Sequence, residues 1–164
     1  MPTTLVSAAG GTVQTPVTVF NDRGDGGHLV VNPPRPVWER HELSPAELTA
    51  WCFLVTATGQ AMLEALPQLR GGCINYWDAG NWSLNDSGPP VGRKDPREHR
   101  KVHMHVFGRS PEARHRDWGW GEAPRFPEYA RYREWATQFK PLDSGECAAI
   151  ARRVEELLRD KYRQ

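Results

Sequence analysis

The sequence predicts an α+β fold, an antiparallel sheet with one long helix packed on it and a helical C-terminal tail. Three observations predict it. Short β-branched stretches closed by Gly, Pro or Asn recur at 12–20, 28–31, 72–77 and 101–109. A single unbroken helical pattern, 45–66, lies between the second and the third. A last helical pattern begins only after residue 143. Strands, one crossing helix and a late helical tail suggest helices packed on one face of the sheet.

Composition bounds the partners. A chain of 164 residues is one domain's worth and buries a sizeable core unaided. With 38% hydrophobic and 25% charged residues it reads as a soluble globular protein. The formal net charge of +1 gives no global field for nucleic acid or an anionic membrane, so neither is expected as a specific partner. Basic residues are instead local, dense from Arg93 to Arg116. Three widely spaced cysteines (Cys52, Cys73, Cys147) without a CxxC pair suit a reducing compartment. No run of about 18 apolar residues and no basic-then-apolar leader is visible, so the expected location is cytoplasmic. Seven tryptophans, at 38, 51, 77, 82, 118, 120 and 135, are expected to pack the core and cover the sheet. A few stand beside the basic cluster, where a base or substrate ring could stack.

In chain order, residues 1–11 are small and polar and are expected to fray. Thr12 to Phe20 alternates but is broken by Pro16, which marks an edge strand or hairpin arm. Residues 21–27 form a turn, His28–Val31 a short strand, and 32–36 its end. Ser44-Pro45-Ala46-Glu47 is a capping box with proline at the first helical position. Leu48, Cys52, Val55, Gly59, Met62, Leu63 and Leu66 follow as one apolar stripe, and Pro67 stops the helix. Gly72–Trp77 is a strand. Residues 78–100 are a long loop, rich in Gly, Pro and Asn and then basic, of a length that is usually functional or disordered. A tryptophan-rich segment (117–121), a short helix within 127–139 and a last helix capped by Asp143 or Ser144 complete the chain. Residues 12–110 thus form the main unit, and 111–164 pack on it.

The chemistry concentrates in Lys101–Arg109. Read as a strand, Val102, Met104 and Val106 face the core, while Lys101, His103, His105 and Phe107 share the other face. Two imidazoles side by side can address a small anion or a metal ion. A metal would need a third ligand from His99, His115, Cys73 or a carboxylate, and the Lys101 ammonium opposes a cation there. No metal and no cofactor are therefore expected.

The same nine residues resemble the signature of the histidine triad (HIT) family, with His103 and His105 as its second and third histidines and Lys101 in place of the first. Gly27–Pro36 followed by Leu43–Leu48, and Ile74–Asn81, are similar to two further family blocks in the same order. The likeness covers about residues 18–110. It implies a HIT-like sheet, and chemistry at the α-phosphorus of a nucleoside-monophosphate-X substrate through a nucleotidyl-histidine intermediate. His103 would be the nucleophile, with its second ring nitrogen held by the backbone carbonyl of residue 101. His105 would support the phosphate. Phe20 and Asp22 would meet the nucleoside, although Asp22 could equally make an Asx turn. Asn75, Gly80 and Asn81 would lie near the phosphate. From the basic loop, Arg97 and His99 could reach a phosphate, or the loop could simply be a solvated charged face. The resemblance further implies a nucleotide or nucleotide conjugate as partner and pairing as a homodimer. The alternatives are a nucleotide-binding protein without turnover and a metal-dependent enzyme using His103 and His105.

Overall fold

The structure is a computed structural model and describes residues 2–78, 100–128 and 131–163. Five strands are β1 (Thr4–Ala8), β2 (Gly11–Gln14), β3 (His28–Asn32), β4 (Cys73–Trp77) and β5 (Met104–Arg109). They form one antiparallel sheet in the order β1-β2-β3-β5-β4, so the last strand in sequence is inserted between two earlier ones. Among the described residues the α-helices are α1 (Pro45–Ala65), α2 (Tyr132–Ala136) and α3 (Ser144–Leu157), the last continued by a π-helical turn, Leu158–Tyr162.

The N-terminal expectation needs correction. Residues 1–11 do not fray throughout, because they contain β1. Val6 of β1 is buried, and Gly11, paired with Ala8 across the turn, opens β2 at φ 120°, where an added Cβ would lie 2.0 Å from the Asn32 carbonyl oxygen. Small residues masked an alternation that only the neighbouring strand makes useful. The second arm is also shorter than expected. β2 stops at Gln14, ahead of Pro16, whose missing N–H ends ladder pairing.

α1 starts and stops where its signals say. The Ser44 side chain accepts from the Glu47 amide at 3.3 Å, and the Glu47 carboxylate accepts from the Ser44 amide at 2.7 Å. Its buried face overlaps the expected stripe at Gly59, Met62 and Leu66, with Leu48 and Val55 half-buried against the core, but is turned relative to it. Trp51, Leu54, Ala57, Thr58, Ala61 and Met62 are buried, whereas Cys52 and Leu63 are exposed. The helix is apolar around much of its circumference, so spacing alone leaves its rotation open. The bulk of Trp51, whose indole N–H donates to the Val31 carbonyl at 3.4 Å, sets it.

Strand parity then separates two layers. Leu29 and Val31 of β3 and Val106 of β5, with Val102, lie in the core beneath α1, where Ile150, Val154 and Leu157 of α3 join them. The opposite face carries His28 of β3, His105 and Phe107 of β5, and Asn75 and Trp77 of β4, with Phe107 opposite both His28 and Asn75, and Trp77 opposite His105. Phe107, Trp118 and Phe139 bury one another there, with Phe20, Trp77 and Trp135 packed against them. The tail after residue 110 is therefore divided: α3 lies with α1, and the tryptophan-rich segment and α2 cover the histidine face. Among the described residues, no helix is long and apolar enough to cross a membrane.

Candidate active site

β5 begins at Met104, three residues later than expected. Val102 leaves the sheet because its amide donates to the Val37 carbonyl at 3.0 Å. The alternation nevertheless holds: Val102 and Val106 are buried in the main core, and His103 and His105 point to the aromatic face. There the two imidazoles meet a third, His28, which the sequence reading placed in a strand but gave no role.

The three rings form a chain with one direction. The Phe20 amide can only donate, and it reaches His28 Nδ1 at 3.3 Å. His28 therefore carries its proton on Nε2, which stands 2.9 Å from His105 Nδ1. His105 in turn carries its proton on Nε2, 3.0 Å from His103 Nε2. The remaining proton sits on His103 Nδ1 and is donated to the Lys101 carbonyl at 2.8 Å. The network assigns all three rings as neutral, each in one tautomer.

Burial enforces the neutrality of the two inner rings, His28 and His105. His28 is 2% exposed, and its pKa is held well below the ordinary value by desolvation, then by the neighbouring His105 and His103. His105 is pushed down to about 3 by burial and secondarily by His103. The inner rings thus serve as hydrogen-bonding groups at neutral pH and add no positive charge.

The walls are aromatic. Phe20 stacks on His28 at 5.6 Å, and Phe107 stacks on His28 at 4.3 Å and on His105 at 5.7 Å. Trp77 lies 5.7 Å from His105 and stacks on Phe126 at 4.4 Å. The Trp118 indole N–H donates to the Phe20 carbonyl at 2.8 Å. Arg109 is buried behind this wall. Its guanidinium donates to the carbonyls of Gly119 and Glu122 at 2.8 Å each and stands 5.6 Å from the Trp118 ring.

The other candidate residues fall in several places. Lys101 is exposed and meets the row through its backbone carbonyl. Phe20 joins the row through both its amide and its ring. Asn75 is half-buried on β4, opposite Phe107. Asp22 caps a 3-10 turn, with one carboxylate oxygen accepting from the Gly24 amide and the other from the Lys140 amide, both at 2.8 Å. Both oxygens are thus engaged by backbone, which is the Asx-turn role with a tie to the C-terminal segment added. Gly80, Asn81, Arg97 and His99, and with them most of the basic loop, lie outside the described residues.

Sequence reasoning missed His28, Trp77 and Phe126. His28 was findable in principle, since pairing β3 next to β5 in antiparallel register brings it to the face of His105. Trp77 follows the same parity on β4. Phe126 lies in a loop without periodicity and gave no signal. Among the described residues, no cluster of three or more His, Cys, Asp or Glu side chains is arranged to hold a metal ion. No protein-family model matches the chain, and no curated protein matches it in sequence.

Proposed function

We propose that the chain is a HIT-like nucleotide hydrolase or nucleotidyl transferase that acts at the α-phosphorus of a nucleoside-monophosphate-X substrate through His103. The observation carrying this reading is the directed chain from the Phe20 amide through His28, His105 and His103 to the Lys101 carbonyl. It leaves His103 Nε2 as the unprotonated nitrogen, which a nucleophile requires, and gives Nδ1–H a carbonyl that stabilises positive charge. A carbonyl does not depend on side-chain type, so the lysine at 101 leaves this support intact.

In the proposed step, His103 Nε2 forms a bond to phosphorus while the P–X bond breaks, and X departs with the electron pair. The His105 Nε2–H, freed from His103, donates to a phosphoryl oxygen where charge develops. Water, or another acceptor hydroxyl, then forms the new P–O bond as the P–N bond breaks and His103 regains its lone pair, the proton of the attacking oxygen passing to solvent. Lys101 supplies a fixed positive charge for phosphate and no imidazole to protonate X. Substrates with good leaving groups are accordingly favoured. Pairing as a homodimer belongs to the same reading; among the described residues β4 is the terminal strand on its side of the sheet.

A second reading, nucleotide binding without turnover, is favoured by one contact. The His105 N–H points at the His103 lone pair and must be drawn off before attack. The His103→Ala variant separates the two. Under the first reading, release of the nucleoside monophosphate from a nucleotidyl substrate is abolished, while AMP affinity stays within about tenfold, because a nucleophile acts mainly in the transition state. Turnover surviving in the variant would refute His103 as nucleophile. A native chain that binds AMP and cleaves no nucleotidyl substrate would favour the second reading.

A further inference from the structure

Phe126 occupies an unusual position for a loop residue. Five aromatic rings surround it: Trp77 stacks on it at 4.4 Å, Trp118 meets it edge-on at 5.7 Å, and Trp135, Phe107 and Phe20 stand at 6.0, 6.3 and 6.4 Å. A residue so enclosed would ordinarily be fully buried, yet Phe126 is 38% exposed. The loop that carries it is fastened upstream. Arg109 grips Gly119 and Glu122, and the Arg125 amide donates to the Asp117 carbonyl at 2.9 Å. The phenyl ring is thus inserted, from the solvent side, into a box whose walls belong to the sheet and to the segments around Trp118 and Trp135.

The box adjoins the histidine row, since its wall Trp77 lies 5.7 Å from His105 and its wall Phe20 lies 5.6 Å from His28. Its chemistry selects a flat, uncharged ring. Stacking between Trp77 and an opposing face needs a planar group. The Arg109 guanidinium behind Trp118 disfavours an organic cation, which an aromatic cage would otherwise attract, and the Asp117 carboxylate beside the box is engaged by the Trp135 indole N–H at 2.9 Å.

We propose that Phe126 is an intramolecular plug, and that the aromatic box it fills is the seat for a planar, uncharged heteroaromatic group of the substrate. Entry of that ring moves the Phe126 side chain out toward the solvent. Phe126 thereby sets which substrates reach His103: those whose ring stacks well enough to replace a phenyl group. The plug itself is independent of phosphate chemistry. Identifying the ring as a nucleobase rests on the function proposed above.

Two measurements test this with three probes: indole (a ring without phosphate), AMP, and ribose 5-phosphate (phosphate without a ring). In the native chain, trypsin cleavage at the exposed Arg125–Phe126 bond should accelerate at least threefold with saturating indole or AMP and should not respond to ribose 5-phosphate. In calorimetry, Phe126→Ala should bind indole and AMP at least fivefold more tightly than the native chain, with ribose 5-phosphate unchanged. A cleavage rate unaffected or slowed by indole overturns the plug, and so does weaker indole binding by Phe126→Ala, which would make Phe126 a wall. If Phe126→Ala does not fold, the native-chain cleavage decides alone. A response to indole with no AMP binding by either chain keeps the plug and refutes the nucleotide reading.

Discussion

Acidification from pH 7 to pH 5 should destabilise the fold markedly, because the inner histidines are kept neutral. His105 has its pKa lowered to about 3 in the folded chain, against an ordinary value of 6.5 when unfolded. Between these values the unfolded chain takes up a proton that the folded chain refuses, so stability falls as pH drops below about 6.5. At pH 5 the difference from the unfolded value is 1.5 units, which at ~1.36 kcal/mol per unit amounts to about 2 kcal/mol from His105 alone. His28, shifted in the same direction, adds to the loss with the same sign. Carboxylates do not confuse this window. Glu47, Glu64 and Asp143 have lowered pKa values, so their contributions are present above the ordinary carboxylate range and are lost only as pH falls below it. Urea unfolding followed by tryptophan fluorescence at half-unit steps from pH 7.5 to 5 measures the slope. A His105→Gln chain should lose up to one proton's worth of it. Stability that is flat across the window in the native chain would refute the neutral, buried row and the tautomers assigned from it.

Three further outcomes are expected. His28→Phe keeps an aromatic ring but removes the donor that fixes the His105 tautomer, so turnover should fall at least tenfold with AMP affinity changed less than threefold; equal losses in both would indicate a merely structural role. Lys101→Met should raise KM and lower kcat, whereas Lys101→His should selectively improve substrates with poor leaving groups; identical kinetics of all three chains would make residue 101 a bystander side chain. Asp22→Ala removes the cap on the Gly24 amide and the tie to the exposed Lys140 amide and should lower unfolding free energy by roughly 0.5–2 kcal/mol; unchanged stability with weakened AMP binding would return Asp22 to the nucleoside.

Much of the site was readable because period-two alternation is a strong constraint. Once His103 and His105 share a face with Phe107, the opposite parity of Val102 and Val106 follows, and the structure agrees. The start of α1 was readable for a similar reason, since the Ser44–Glu47 box is local chemistry. Rotation of α1 was not. An apolar helix satisfies several stripes equally, and the choice of Trp51 over Leu48 and Cys52 depends on what the sheet presents to it. β1 was hidden because Thr4–Ala8 has little bulk and is a strand only through pairing with β2. His28 was hidden because its role depends on a neighbour 77 residues away, and one isolated histidine in a strand announces nothing.

The strand order also dictates when the site can come into being during synthesis. β1, β2, β3 and α1 are contiguous in sequence and can associate as soon as residue 65 has emerged, with β3 left as an open edge. β4 follows but has no partner, because the strand between β3 and β4 is β5, which is complete only at Arg109. Before that point the nascent chain holds His28 in place with nothing to receive its proton. Insertion of β5 closes two ladders at once, zips together both halves of the sheet, and delivers His103 and His105 to His28 in the same event. Long-range pairing of this kind is entropically late. The number of residues between β4 and β5 can nevertheless vary at small thermodynamic penalty, since doubling the length of a connection costs only about 0.6 kcal/mol. The sheet therefore tolerates a change of length immediately before its chemical strand without any change in the order of assembly.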